Sequence, residues 1–170
     1  MSPAFTALIS AVQLSQNLHN PDWVIVDCRF NLTDPEWGKL EYEALHIPHA
    51  VFADIEKDLS GPRTPQSGRH PLPGTEQMVK VFSKLGIGSS KQVVAYDGSN
   101  GSFATRLWFL LKAYGHANVA VLDGGLTYWH AQGYPFESGS NENLTVTFTG
   151  AFHPDWIVTA DQVDQLRTDP

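Results

Sequence analysis

Cysteine is almost absent: Cys28 stands alone among 170 residues, so no disulfide can close within the chain. A lone thiol suits a reducing compartment, and the N-terminus shows no basic-then-apolar leader with a small-residue cleavage site. The expected location is therefore cytoplasmic. Long apolar runs are missing too. The richest, near Leu107 to Leu111, falls far short of the roughly 20 residues that a membrane span needs. Positive charge is also scarce. Eleven Lys and Arg against 18 Asp and Glu leave a net charge of −7, which argues against nucleic acid as a partner. What remains is 42% apolar and 17% charged, the composition of a globular domain large enough to bury a core.

Apolar stretches alternate in kind along the chain. Ser10 and Gln13 have capping-box spacing ahead of a helix-compatible run from Ala11 to Leu18, which Pro21 stops. Val24 to Cys28 is a β-branched run suited to a buried parallel strand. Residues 30–45 read as irregular, with Trp37 and Tyr42 as packing anchors. His46 to Phe52 reads as a tight turn entering a short strand. Pro62, Pro65, Pro71 and Pro73 mark residues 54–74 as a long ordered loop. A helix capped by Thr75 is predicted to end at Gly86, followed by a strand over Gln92 to Tyr96. Phe103 to Tyr114 is apolar on most faces, which predicts a buried helix. A strand over Val119 to Leu122 and a helix through Trp129 complete the pattern. Strands and helices in alternation mean an α/β domain, a mostly parallel sheet with helices on both faces.

In such a domain ligands sit beyond the carboxyl ends of the strands, where helix N-termini present free N–H groups. The strand ending at Tyr96 is followed by Asp97, Gly98, Ser99, Asn100, Gly101 and Ser102, and then by the buried helix. Asp97 holds the first loop position. A phosphatase aspartate would need a second aspartate two residues on, where Ser99 stands. An esterase elbow needs a glycine where Asp97 stands, and the Lys-Ser/Thr of a phosphate loop is missing. Asp97 is expected to accept N–H groups of its own loop and to cap the helix. Cys28 reads as a buried filler. His46 and His49 do not have metal-ligand spacing across Pro48, and no metal is expected. His46 is expected to be a buried, hydrogen-bonded turn residue, and Arg106 to pair with a local carboxylate.

The last residues echo the first. Leu8, Ile9, Ser10 and Ala11 match Ile157, Val158, Thr159 and Ala160, and Gln13, Leu14, Gln16 and Pro21 match Gln162, Val163, Gln165 and Pro170. The expected organisation is a domain over 1–139, a linker over 140–156 and the truncated start of a second, similar domain over 157–170.

Three motifs carry a family resemblance. Tyr42 through Phe52 resembles the rhodanese pattern of an aromatic, three residues and His-Ile-Pro-Gly-Ala, with His49 in place of the glycine. Val121-Leu122-Asp123-Gly124-Gly125 with Trp129 is similar to the family's Leu-Asp-Gly-Gly-x3-Trp. Val26-Asp27-Cys28-Arg29 is similar to its Asp-Ala-Arg strand end. Residues 60–62 and 68–73 and the Phe-Ala-x-Arg helix start resemble the N-terminal half of tandem-domain thiosulfate or 3-mercaptopyruvate sulfurtransferases. The resemblance implies the rhodanese fold and no cofactor. In that family a cysteine opens the loop after the central strand, and its thiolate takes the outer sulfur of a donor as a persulfide, then passes it to cyanide or a thiol. Asp97 stands in that place and a carboxylate forms no persulfide, so the domain is expected to be catalytically silent. The implied partner is its own C-terminal catalytic rhodanese domain, fed by thiosulfate or mercaptopyruvate. His46, Arg69 and His70 are the implied residues of the cleft between the two. The alternative reading is an inactive rhodanese module that binds or regulates.

Overall fold

A computed structural model describes residues 4–98 and 100–168. Five parallel strands form one sheet in the order β1-β5-β4-β2-β3, with β1 Leu8–Ile9, β2 Trp23–Asp27, β3 Val51–Phe52, β4 Gln92–Tyr96 and β5 Val119–Leu122. Side chains alternate across a strand, so a parallel sheet buried on both faces needs apolar residues throughout. Here Val24, Val26, Val93, Ala95, Val119 and Val121 face one core with Met78 and Phe82 of α3 (Thr75–Lys84) and Leu107, Leu110 and Leu111 of α4 (Ala104–Ala113). The opposite residues, Ile25, Val94, Tyr96, Ala120 and Leu122, face a second core. Leu14 of α1 (Ala11–Ser15) and Trp129 of α5 (Gly125–Ala131) close that side. No described helix is long and apolar enough to cross a membrane.

The capping box at Ser10 forms with Gln13, but α1 ends at Ser15, earlier than the sequence pattern suggests. Residues 30–45 are not irregular throughout: Trp37–Ala44 is a helix, α2. Only Gly38 and Tyr42 of it are buried, one turn apart, so its apolar stripe is too thin to show in the sequence. Gly38 is required there. A Cβ at that position would lie 2.1 Å from the Arg29 carbonyl oxygen. Gly74, rather than Thr75, is the N-cap of α3.

The stretch over 140–152 has no helix or strand but is laid along the domain. Phe148 is buried against Phe82, Asn143 donates to the Leu85 carbonyl, and Val146 N–H donates to the Ser83 carbonyl. Beyond it, a 3-10 turn over Pro154–Trp156 leads to α6 (Ala160–Thr168). Thr159 and Gln162 form the same reciprocal cap as Ser10 and Gln13. Residues 153–167 are all exposed.

Candidate functional site

Parallel strands β2 and β4 end side by side, with Asp27 opposite Tyr96 in register. The next residue on β4 is Asp97, almost wholly buried at the mouth of the loop that leads into α4. Its Oδ1 accepts from Gly101 N–H at 3.0 Å, and its Oδ2 accepts from Phe103 N–H at 2.8 Å and Ala104 N–H at 3.2 Å. Phe103 is the N-cap of α4 and offers no side-chain cap, so Asp97 caps the helix from outside it. Gly101 adopts φ 75°, a conformation that L side chains rarely take, which turns its N–H back toward the carboxylate. The Asn100 side chain accepts from Ser102 N–H, and Gly98 O accepts from the Thr127 N–H and hydroxyl. Ser99 lies outside the described residues. The loop is a nest of N–H donors around an anion that belongs to the chain itself.

A second buried charge sits beneath the strand ends. Arg29 Nη2 reaches Asp27 Oδ2 at 2.7 Å and also donates to the Leu45 carbonyl, while the Tyr96 hydroxyl donates to the same Asp27 oxygen at 2.8 Å. Cys28, next to Asp27 in the chain, is fully buried. Burial pushes its thiol well above the ordinary range, and the negative charges of Asp27, Asp97 and Asp58 push it further. A thiol so placed stays protonated and out of reach of solvent, the opposite of a nucleophile's setting.

The three residues assigned to a cleft part company. His46 is fully buried: its Nδ1 meets the Tyr42 carbonyl at 2.6 Å, its Nε2 meets Glu137 at 3.2 Å, and its ring stacks on Tyr42. It therefore opens on no surface of this domain. The reason is the antiparallel bridge between His46 and Glu137, which folds residues 137–141 over the turn. Arg69 and His70 lie together on the long loop and share the Glu56 carboxylate with Arg63. Burial lowers the His70 pKa, against the pull of Glu56.

Among the described residues, Arg106 pairs with no carboxylate. Its guanidinium donates to the carbonyls of Leu59, His70 and Pro71 and so ties the long loop to α4. A hollow of about 500 Å³ opens there, lined by Ile55, His70, Ser102, Phe103, Arg106 and Trp108. On the other flank of the loop a hollow of about 430 Å³ is lined by Leu8, Asn100, Gly101, Trp108 and Asp123. Trp108 lines both, and its indole N–H donates to the Thr6 carbonyl. The sequence marked Trp108 only as one apolar residue among many. Its place at the loop follows from its lying one turn beyond Ala104. Among the described residues, no three of His, Cys, Asp or Glu converge as metal ligands.

A family model for the rhodanese-like domain matches residues 10–132. A probable 3-mercaptopyruvate sulfurtransferase of Pseudomonas aeruginosa is 42% identical over 145 residues, covering 84% of this chain and 51% of that protein. A putative thiosulfate sulfurtransferase, SseB, of Mycobacterium tuberculosis is 38% identical over 133 residues, covering 78% of this chain and 46% of its own length. Among solved structures, the Escherichia coli 3-mercaptopyruvate sulfotransferase SseA superimposes with a TM-score of 0.84 at 32% identity, over 95% of this chain and 61% of that one. The chain thus spans about half the length of the curated relatives it matches. With the strand end at Asp27, the turn at His46 and the Gly124-Gly125 helix start all inside the matched region, the chain belongs to the rhodanese-like domain family and is similar within it to domains of 3-mercaptopyruvate sulfurtransferases.

Proposed function

We propose that this chain is the N-terminal, non-nucleophilic half of a 3-mercaptopyruvate or thiosulfate sulfurtransferase, in which a cysteine on a second rhodanese domain carries the persulfide. One observation carries the reading: the N–H nest that would stabilise a reacting sulfur anion already holds the Asp97 carboxylate. A carboxylate oxygen is a hard nucleophile and forms no persulfide, and its fixed charge repels anionic donors such as thiosulfate. The chain's thiol, Cys28, is buried and held protonated. The match to about half the length of the relatives and the repetition of the Ser10–Gln13 cap at Thr159–Gln162 support a second copy as the partner. In this role the domain packs on the catalytic half, and the hollows beside Trp108, with Arg69 and His70, contribute to the cleft wall.

The test is sulfur transfer by this chain, read as cyanide-dependent thiocyanate release from thiosulfate and pyruvate release from 3-mercaptopyruvate. The expected rate is that of the protein-free control. Turnover that disappears in Cys28→Ser would overturn the proposal.

A further inference from the structure

His49 occupies the left-handed region at φ 65° and is the one described non-glycine residue with a positive φ. Side chains are rare in that conformation, and the strain persists only where surrounding contacts hold it. Its backbone is held on the N-terminal side. Pro48 precedes it, and its N–H donates to Glu137 Oε1 at 2.7 Å. The consequence is that the exposed imidazole is aimed at a second exposed imidazole thirty residues away. His49 Nε2 lies 3.1 Å from His19 Nδ1, the rings edge to face with centroids 5.1 Å apart. Neither ring belongs to the loop at Asp97, and His46, the nearer histidine in sequence, turns inward to Tyr42 and Glu137.

We propose that His19 and His49 form a surface site for a divalent transition-metal cation of the copper, nickel or zinc class. Metal–imidazole bonds are about 2.0–2.1 Å long, which places two nitrogens on one cation about 2.8–3.4 Å apart for right-angled to tetrahedral geometry. The observed 3.1 Å falls inside that window. The ring that now donates the shared proton carries it on its other nitrogen when the cation enters, so both ligands bind as neutral imidazoles and charge is conserved. Because no third His, Cys, Asp or Glu among the described residues converges with them, water completes the coordination. Cu²⁺ is the tightest binder of such a nitrogen pair. The Glu137 carboxylate, one hydrogen bond from His49, and the net charge of −7 favour a cation electrostatically.

Titration of the chain with Cu²⁺, read by calorimetry and electron paramagnetic resonance, tests the site. One equivalent is expected to bind in the micromolar range, with hyperfine splitting from two nitrogens. His49→Gly removes a ligand while placing the residue best suited to φ 65° in the turn, so the fold is retained. His19→Gln removes the other ligand from an exposed turn. Each is expected to weaken binding at least tenfold, and His153→Gln, at a remote exposed histidine, to leave it unchanged. Parent-like affinity in either His19→Gln or His49→Gly, or a spectrum with one coordinated nitrogen, overturns the proposal.

Discussion

Both carboxylate oxygens of Asp97 are committed to N–H groups of the loop that Asp97 itself opens, so its first role is structural. Asp97→Ala removes the cap of α4 and is expected to cost about 1–2 kcal/mol in urea unfolding. Asp97→Cys, made in a Cys28→Ser background, places a thiol at the same helix N-terminus. Its pKa is expected to fall below the free-thiol value of about 8.5, read from the pH dependence of its alkylation; an ordinary thiol pKa would show that the nest does not stabilise sulfur anions. Glu137 is the other residue with unusual responsibility, joining His46, the His49 N–H and the Asn141 amide. Partial burial pushes its carboxyl up, but Asn141, His49 and His46 together hold it below the ordinary carboxylate value. A carboxyl with a depressed folded pKa adds stability above its unfolded pKa and loses it as pH falls through the folded one. Glu137→Gln is therefore expected to flatten the acid limb of the stability profile below about pH 4.5. An unchanged limb in acid titration would remove Glu137 from this account. Asp97's capping role was legible because a strand, small residues and a helix follow each other within one stretch. The inward turn of His46 depends on Glu137, which is 91 positions away.

Among the elements, α4 does more than fill the core. Its Arg106 holds the long loop through carbonyls that lie 35 to 47 positions away in sequence. That is why a local carboxylate partner was the natural expectation and backbone carbonyls the outcome. A guanidinium supplies five donors in a fork and suits converging carbonyls as well as it suits a carboxylate. Arg106→Met keeps most of the bulk and leaves those carbonyls without their donor. The expected loss is about 2–3 kcal/mol, with faster amide exchange confined to residues 59–71. Uniform exchange across the loop in parent and variant would show that Arg106 does not hold it. Helix α2 was illegible for a different reason. With two buried positions in eight residues, the helix is specified by the close approach of Gly38 to the Arg29 carbonyl, a tertiary contact with no periodic signature.

For the whole molecule, the decisive feature is how the chain closes after α5. Residues 140–152 look like a linker in composition, yet they carry Phe148 into the core beside Phe82 and His116. A chain ending at Gly139 is expected to unfold several degrees lower than the parent, and Phe148→Ala to cost about 3–5 kcal/mol. A chain ending at His153 should melt within a degree or two of the parent, because residues 154–167 are exposed. Differential scanning calorimetry on the three lengths distinguishes these outcomes. Equal melting of the Gly139 and parent chains would make 140–152 a true linker. Ile157, Val158, Val163 and Leu166 remain exposed on this domain. The counterparts of the first three, Leu8, Ile9 and Leu14, show the difference a sheet makes: Ile9 and Leu14 are buried against it, and Leu8 at the edge is not.

By itself the sequence determined the α/β class, the parallel order of strand and helix, the loop beyond β4 and the chemical limits of Asp97. Those properties are written in local periodicity and in what an oxygen or a sulfur atom can do. Only the tertiary structure decided which groups meet across long separations: His46 with Glu137, Arg106 with the loop carbonyls, Phe148 with α3, and His19 with His49. Such contacts are chosen by the burial and hydrogen-bond satisfaction of the assembled chain, and no local pattern encodes them.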